Sequence, residues 1–318
     1  MAKIISDSGE VIHLVGDISA GINFDIDGNE YYFRSTAQGV QDAVSGAVFP
    51  GASLGGSYVL DDYGDNAYWA GALFRLKSDF TGTAAKVYRD GAGTVANIEL
   101  DGDWLDAAAI GTHCSSNDGR VIEIGDQTGL GNRVMEISAV PTFGAKIYDG
   151  ATTSVLTDPD NGQIACYFDG ANKFWNSTDS TTVSQPNTIT VVLNTATDSM
   201  TIYDSRQTNA HVMNIGVSAN QVSLICGAVL SDGNLTSNSV SVLTGISAST
   251  SSEVWLDGSQ TATGNAGGNS MIGFRIGALR TGSFDYIGYF QGCIHHNANK
   301  ASEMADIHSK VNELVGAY

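Results

Sequence analysis

The sequence has little positive charge, little charge of any kind and no long apolar run. Lysine and arginine number 15 against 34 aspartate and glutamate residues, so the formal net charge is −19 at pH 7. Such a surface repels phosphate, which argues against binding to nucleic acid or to an anionic membrane surface. No apolar segment approaches the ~18 residues that a membrane-spanning helix needs. We therefore expect no nucleic-acid partner and no membrane insertion.

Several chemical motifs are also missing. The start, MAKIISDSGEVIHLVGD, lacks a basic and then apolar export signal, so we expect a protein made in the cytoplasm. The four cysteines are far apart without a C-x-x-C pair, which predicts free, buried thiols in a reducing compartment. No phosphate-binding loop is present. His295 and His296 are adjacent, so on a strand they point to opposite faces and do not share one ion. We expect no metal and no cofactor.

Glycine and small polar residues interrupt the chain throughout. Glycine accounts for 38 of the 318 residues and proline for only 4. From residue 68 onward, strand patterns recur at short spacing, with turns such as Asp90-Gly91 and without alternating long helices. This density is typical of an antiparallel β sandwich and not of a parallel α/β fold. Residues 188–193 are expected to pair with residues 200–203 as a hairpin.

The first 67 residues have a different pattern from the rest. Asp27-Gly28 lies between two apolar stretches, which predicts a hairpin, and a Gly- and Ser-containing stretch with an acidic patch follows. The segment 1–67 is therefore predicted to be a small N-terminal β appendage with a linker, and 68–318 to be the main domain. The alternative is that the first segment only adds strands to the main sandwich.

Two helices are expected within the main domain. Residues 299–315 carry apolar side chains at i, i+3, i+7, i+10 and i+11 counted from Met304, which predicts an amphipathic C-terminal helix that Gly316 ends. A shorter helix is predicted over residues 103–110, because Asp103 would favour the positive end of its dipole. The predicted class is all-β, with one helix placed over a sandwich edge.

Three stretches carry a resemblance to known proteins. They are LFRLKSDFTGTAAKVYR at 73–89, IGDQTGLGN at 124–132, and KIYD at 146–149 followed by GQIACYFDGA at 162–171. In this order they resemble the catalytic-domain sandwich of α-L-arabinofuranosidase B and of bacteriophage and bacterial proteins that share its scaffold. The C-terminal part, beginning with VWLDG at 254–258, resembles the end of a concanavalin A-like (laminin-G-like) fold. The resemblance covers 68–318 and implies a two-sheet antiparallel jelly roll.

The loop of the second stretch supplies three candidate site residues. Asp126, Gln127 and Asn132 can hydrogen-bond backbone groups across a tight turn, which predicts a structural clamp. The alternative is a ligand or Ca²⁺ contact, because hard cations need several oxygen ligands. Trp175 and Trp255 are candidates for stacking on sugar rings, with packing in the core as the alternative.

The sequence offers no defensible pair of catalytic carboxylates. A retaining glycosidase needs two of them about 5–5.5 Å apart. The resemblance implies a nucleophile in an acidic segment rich in Trp and Met, whereas this chain continues as NSTDSTTVSQ at 176–185. The lone acids Asp179, Glu253 and Asp285 cannot be paired from their positions. No catalytic residue is predicted, and the chain is predicted not to be an enzyme.

These observations together predict a bacteriophage virion structural protein, a decoration, fibre or tail-associated subunit made in the host cytoplasm. Residues 1–67 would bind other virion proteins, and the lectin-like sandwich would bind host-surface glycans. A symmetric homo-oligomer is expected. The alternatives are a carbohydrate-binding module and an arabinofuranosidase-like glycoside hydrolase. The choice rests on analogy, because one fold serves many functions.

Overall fold

A computed structural model describes most of the chain beyond residue 56. The ranges described in full are 57–130, 141–170, 173–195, 200–206, 211–213, 221–231, 235–279, 281 and 285–318. For strands that lie outside these ranges, only the backbone is described.

Strands dominate the described chain. The N-terminal strands are β1 (Ala2–Ile5), β2 (Val11–Leu14), β3 (Ile22–Ile26), β4 (Asn29–Thr36), β5 (Gly39–Asp42) and β6 (Val48–Phe49). They are followed by helix α1 (Val59–Tyr63) and strands β7 (Ala67–Ala72), β8 (Ala85–Arg89), β9 (Thr94–Ile98), β10 (Leu100–Asp101) and β11 (Trp104–Leu105). Helix α2 (Ala107–Cys114) then precedes β12 (Gly119–Ile124), β13 (Met135–Glu136), a 3₁₀ turn (Pro141–Phe143), β14 (Ala145–Asp149), β15 (Ser154–Val155), β16 (Cys166–Asp169), β17 (Trp175–Ser177) and β18 (Thr182–Val183).

The second part of the chain continues in the same way. Its strands are β19 (Asn187–Thr195), β20 (Met200–Ser205), β21 (Val212–Ile215), β22 (Gln221–Ile225), β23 (Val229–Asn234), β24 (Val240–Ser247), β25 (Ser252–Leu256), β26 (Ser259–Gly264), β27 (Met271–Ile272), β28 (Phe274–Ile276) and β29 (Ile287–His296). A 3₁₀ turn (Ala301–Glu303) leads into helix α3 (Met304–Val315).

Hydrogen bonds connect nineteen of the described strands into one antiparallel sheet. One half runs in the order β9-β8-β12-β14-β16-β29-β19-β24-β25-β26, and β7 also pairs with β29. The other half runs β13-β17-β28-β20-β21-β22-β23 and joins the first through the pairing of β12 with β13. The prediction of a mainly antiparallel β fold with a C-terminal helix is confirmed.

The main hydrophobic core lies between the two halves of this sheet. Phe168 and Phe290 come from the first half, and both contact the Trp175 ring of the second half, at centroid distances of 4.7 and 5.4 Å. Trp69 of β7 contacts Phe274 of β28 at 5.3 Å. All five side chains are at most 1% exposed. Because such rings each bury a large apolar area, their contacts across the core hold the two halves face to face.

A second core lies on the opposite face of the first half. We call helices α1 and α3 together the α1–α3 cover, because their apolar side chains close this face. The fully or almost fully buried contributors from the cover are Val59, Leu60, Met304, Ile307, Val311 and Val315. The sheet contributes Ala70, Ala72, Val192, Val242, Ile246 and Ile294. The apolar side chains that define the predicted periodicity of the C-terminal helix are therefore on its buried face.

Two local predictions are wrong. Residues 188–193 do not form a hairpin with 200–203, because β19 pairs with β24 on one side and β29 on the other, whereas β20 pairs with β21 and β28. The helix predicted over 103–110 begins later, at Ala107. Its cap is Asp106, whose carboxylate accepts a hydrogen bond from the Ala109 N–H at 2.8 Å.

The N-terminal strands form two small antiparallel units, β1 with β2 and β3 to β6 in sequence order. The division at residue 67 and the expected homo-oligomer stay predictions. Val59 and Leu60 nevertheless lie in the second core, so the end of the predicted appendage contacts the sandwich. The four cysteines are free and buried, as expected.

Candidate functional site

A row of polar side chains crosses the outward face of the second half of the sheet. Asn176 of β17 lies directly opposite Arg275 of β28, and Arg275 lies directly opposite Asp204 of β20. Directly opposed residues on neighbouring strands place their side chains on the same face. The alternate residues of the same strands, including Trp175 and Tyr203, belong to the main core. Successive side chains along these strands therefore point alternately to a polar face and to the apolar interior.

Arg275 is the centre of this face. Its Nε donates to Asn176 Oδ1 at 2.8 Å, and one of its terminal nitrogens donates to the Leu279 carbonyl oxygen at 2.9 Å. The guanidinium carbon lies 4.2 Å from the centroid of the Phe174 ring, which is within cation–π distance. Phe174 is half-buried. The guanidinium is thus held in one orientation by an amide, a carbonyl and a ring.

Two carboxylates contribute negative charge to the surroundings of Arg275. Burial lowers the pKa of Arg275, and the negative charges of Asp204 and Asp285 partly offset this shift, whereas Arg206 adds to it. Asp204 is fully buried and Asp285 is partly exposed. We call Asp204, Asp285, Arg275, Asn176 and Phe174 the Arg275 cluster. It combines two acids, one permanent cation, one amide and one aromatic face.

A second polar network borders the Arg275 cluster. Arg206 donates to the Ser177 carbonyl oxygen at 2.6 Å, and the Ser177 hydroxyl donates to the Asp179 carbonyl oxygen at 2.8 Å. The Asp179 carboxylate accepts from the Tyr68 hydroxyl at 2.6 Å, and the Tyr68 ring lies 5.0 Å from that of His295. The network runs from the polar face into the interior and fixes the end of β17.

The loop residues predicted from the sequence lie elsewhere, beside β7. Gln127 is fully buried and hydrogen-bonds only backbone groups. Asp126 accepts from the Ala70 N–H at 3.2 Å and from the Thr128 N–H and hydroxyl at 3.0 and 2.8 Å. Asn132 lies outside the described residues. These hydrogen bonds of Asp126 and Gln127 therefore join the loop to β7 and the residues that follow it, and to Thr128 within the loop.

The two tryptophans have different environments. Trp175 is fully buried, and its Nε1 donates to the Val121 carbonyl oxygen at 2.9 Å, so it offers no ring face to a sugar. Trp255 is partly buried on β25, opposite Thr244 and on the side of helix α3. Its Nε1 donates to Glu253 at 2.6 Å. The two rings do not meet at one site, and neither belongs to the Arg275 cluster.

The described residues hold no group of three or more His, Cys, Asp or Glu side chains that could bind a metal ion. Within the same part of the chain, no helix is long and apolar enough to cross a bilayer.

Sequence reasoning missed most of the Arg275 cluster. Asp285 was recognised only as a lone acid, and Asp204, Arg275 and Phe174 were not singled out. A local indication existed, since Asp204 and Arg275 are charged residues that follow or lie between large apolar residues inside short strands. Their pairing depends on the register of β20 against β28, about 70 residues apart in the chain, which no local pattern reveals.

Comparisons with known proteins supply the wider context. No family model and no curated protein matches the chain. Among solved structures, a variant of a GH54 α-L-arabinofuranosidase soaked with 4-nitrophenyl α-L-arabinofuranoside is 15% identical with a TM-score of 0.62. An arabinofuranosidase complexed with arabinofuranosyl-α-1,2-xylobiose is 16% identical with a TM-score of 0.60. Both matches cover 81% of this chain but only 65% of the arabinofuranosidase chain.

At this level of identity the likeness is one of fold. The resemblance to the arabinofuranosidase scaffold is confirmed in that sense. The prediction of a bacteriophage virion structural protein that is not an enzyme is wrong, because the two solved structures named above, which share the fold over four-fifths of the chain, are arabinofuranosidases. The concanavalin A-like label and the virion and tail-fibre interpretation find no support in these comparisons.

Proposed function

We propose that the chain is a glycoside hydrolase that acts on α-L-arabinofuranosides at the Arg275 cluster. The observation that carries this proposal is the placement of Asp204 directly opposite the oriented Arg275 guanidinium, to whose surroundings Asp285 adds a second negative charge. The arabinofuranosidase fold supports it, and the ligands of the two matched structures suggest the substrate class. A concanavalin A-like jelly-roll order of the strands is part of the same proposal.

The two carboxylates differ in accessibility, which suggests different roles. Asp285 is partly exposed and is the proposed proton donor to the leaving oxygen of the glycosidic bond. Asp204 lies beside the guanidinium and is the proposed carboxylate facing the anomeric carbon, where positive charge develops. Hydrolysis breaks the bond between C1 and this oxygen. Water then supplies a hydroxyl to C1, and its remaining proton returns to the carboxylates.

The rest of the cluster can recognise a sugar ring. Phe174 offers an apolar face of the kind that sugar C–H groups contact, and Arg275 and Asn176 offer donors and an acceptor for hydroxyl groups. The Asn176–Arg275 hydrogen bond already orients both groups, so binding needs little further ordering of these side chains. Arg275 is therefore proposed to position the sugar as well as the two acids.

The full burial of Asp204 favours a second candidate function, recognition of arabinofuranosyl groups without cleavage. A carboxylate that no solvent reaches must be uncovered before it contacts an anomeric carbon. Binding through Phe174, Asn176 and Arg275 alone does not have this requirement. The two candidates share one site and differ in whether the glycosidic bond breaks.

Release of 4-nitrophenol from 4-nitrophenyl α-L-arabinofuranoside by the full chain tests the proposal. We expect measurable release, a loss of 100-fold or more in Asp285→Asn and in Asp204→Asn, and no change in Asp79→Asn. Asp79 is the matched control, because its side chain is 72% exposed and lies outside the cluster. The thermal midpoint of each variant shows whether a loss of activity reflects unfolding.

Calorimetric titration with arabinofuranosyl-α-1,2-xylobiose separates the two candidates. Binding without release of product, weakened tenfold or more in Arg275→Met, would support recognition without cleavage. Release that survives both Asp substitutions would refute the assignment of the acids. Neither release nor binding by the folded wild-type chain would overturn both candidates.

A further inference from the structure

The α1–α3 cover is held to the sheet by apolar packing and by a small number of polar contacts. Lys310 of α3 ties the two helices together, since its Nζ lies 2.8 Å from Asp62 Oδ2 and 2.9 Å from the Ser57 carbonyl oxygen. This ion pair joins the helices to each other and not to the sheet. Other hydrogen bonds hold the cover to neighbouring loops: the Leu60 N–H donates to the Leu76 carbonyl oxygen at 2.9 Å, Ser78 donates to Asp61, and Asn161 donates to the Val315 carbonyl oxygen at 2.7 Å.

Two buried histidines, His296 and His308, make the contacts between the cover and the strands on which the proposal rests.

His308 attaches α3 to the sheet through both ring nitrogens. Its Nδ1 accepts from the Gly258 N–H at 2.9 Å, and its Nε2 lies 2.8 Å from Thr244 Oγ1 on β24. Because a backbone N–H can only donate, Nδ1 is unprotonated and the ring proton is on Nε2. The side chain is fully buried. A second proton would turn Nδ1 into a donor facing another donor, so the charged ring loses this hydrogen bond.

His296 attaches β29 to α1. Its Nε2 lies 2.9 Å from the Tyr63 carbonyl oxygen, which only accepts, so the proton is on Nε2. Its Nδ1 is buried and has no hydrogen-bond partner among the described residues. Charging this ring would bury a second N–H without an acceptor, which costs more than leaving the ring neutral.

The charged groups around His296 do not compensate for this cost. Lys300 and Glu303 face it from the segment before α3 and are paired with each other at 2.8 Å. Burial lowers the pKa of His296 to about 4; the Tyr63 hydrogen bond and Glu303 oppose this shift, and Lys300 adds to it. On the α1 side, Lys310 and Ser57 lower the pKa of Asp62, so the pair between the helices persists in mild acid.

Among the residues that the structure describes, no charged group offsets the burial of His308 either. Burial lowers its pKa to about 4. Asp257 precedes Gly258 in the turn between β25 and β26, and its Oδ1 accepts from the Val242 N–H at 2.8 Å. Burial raises the pKa of this carboxyl, so acid tends to neutralise it. Tyr318 lies beside the same turn, and burial raises its pKa too.

We propose that the α1–α3 cover is an acid-sensitive latch, which detaches from the sheet when His296 and His308 take up protons. Each histidine bridges the cover and the sheet. When charged, His308 loses its hydrogen bond from Gly258, and His296 buries an N–H that has no acceptor. Detachment exposes the apolar face of α3, including Ile307 and Val311, and the strand faces beneath it. The Lys310–Asp62 pair lets the two helices leave as one unit. The latch does not depend on the proposed sugar site.

Hydrogen–deuterium exchange of the full chain at pH 7.5, 5.5 and 4.0, corrected for intrinsic exchange rates, tests the latch. We expect protection of residues 304–315 to fall at least tenfold more than that of β12 as the pH drops to 4.0. The double variant His296→Gln, His308→Asn should keep this protection. Gln retains an N–H for Tyr63, and Asn retains an acceptor for Gly258, and neither can be charged. His113→Gln on α2 is the matched control and should behave as the wild type does.

Loss of protection in α3 and β12 together in the wild type would overturn the proposal. Equal loss from α3 in the double variant and the wild type would also overturn it. If the double variant does not fold at pH 7.5, a ¹⁵N titration of the wild-type imidazoles decides. We expect both rings to stay neutral until the α3 amides lose protection. Charged rings in a chain whose α3 amides are still protected would refute the latch.

Discussion

Replacement of Gln127 by leucine is the sharpest test of the loop that follows β12. Its Nε2 donates to the Phe74 and Ala72 carbonyl oxygens at 2.9 and 3.3 Å, and its Oε1 accepts from the Leu76 N–H at 2.8 Å. The side chain is fully buried, so water cannot replace the amide. Gln127→Leu keeps a side chain of similar volume, although shorter and branched, and removes every polar atom from it.

The magnitude follows from the stranded groups. A buried donor or acceptor that loses its partner costs about 1–3 kcal/mol. The variant leaves the Leu76 N–H without its acceptor. It also removes the donor from the Phe74 and Ala72 carbonyl oxygens, and the Phe74 hydrogen bond is the shorter of these two. We expect a loss of about 3–5 kcal/mol in the free energy of unfolding, on the order of 10 °C in the thermal midpoint for a domain of this size.

Guanidinium unfolding and calorimetry of the full chain measure this loss. Gln260→Leu is the matched control, because Gln260 is exposed on β26 and its replacement should change stability by less than about 0.5 kcal/mol. A loss below about 1 kcal/mol for Gln127→Leu would refute the view that this side chain clamps the strand-end backbone. Such a result would return the loop to consideration as a ligand contact.

Three further perturbations have expected outcomes. Asp106→Ala removes the carboxylate that caps α2 by accepting from the Ala109 N–H. We expect the free energy of unfolding, measured with denaturant, to fall by about 1 kcal/mol. An unchanged free energy of unfolding would contradict the capping role. Gly71→Ala places a methyl group against the Trp69 ring and 2.6 Å from Ile124 Cγ2, so we expect overpacking of about 1–3 kcal/mol and a lower thermal midpoint. The two latch histidines have pKa values of about 4 in the fold, below the ~6.5 of an unfolded chain. The unfolded chain thus binds more protons between these values, and stability should fall from about pH 6.5 to about pH 4, by ~3 kcal/mol for each histidine; flat stability across this range would contradict it.

Local patterns predicted the elements whose formation depends on neighbouring residues. The C-terminal helix buries Met304, Ile307, Val311 and Val315 at the spacing read from the sequence. It ends at Gly316, which has the left-handed φ of 64° that glycine adopts without strain. The short helix α2 was displaced by a few residues because two aspartates compete for the cap, and the neighbouring residues alone do not decide between them.

Pairings between distant strands could not be predicted in the same way. Strand β20 follows β19 after a short connection, and the hairpin between them was a reasonable expectation. The structure instead places β19 in the first half of the sheet and β20 in the second, beside β28. Many of these strands are comparably apolar, so hydrophobic pattern does not select one partner over another.

The sequence by itself determined the antiparallel character and the C-terminal helix, because turn residues and apolar periodicity act over a few residues. The arabinofuranosidase-like scaffold was indicated by the resemblance of three stretches to known proteins. Only the tertiary structure decided which side chains share a face. It buried Trp175 in the core, placed Asp204 opposite Arg275, and brought His296 and His308 to the boundary between the α1–α3 cover and the sheet. These placements follow from the register of strands far apart in the chain. That register is selected by the packing of both cores together, so no single segment of the sequence specifies it.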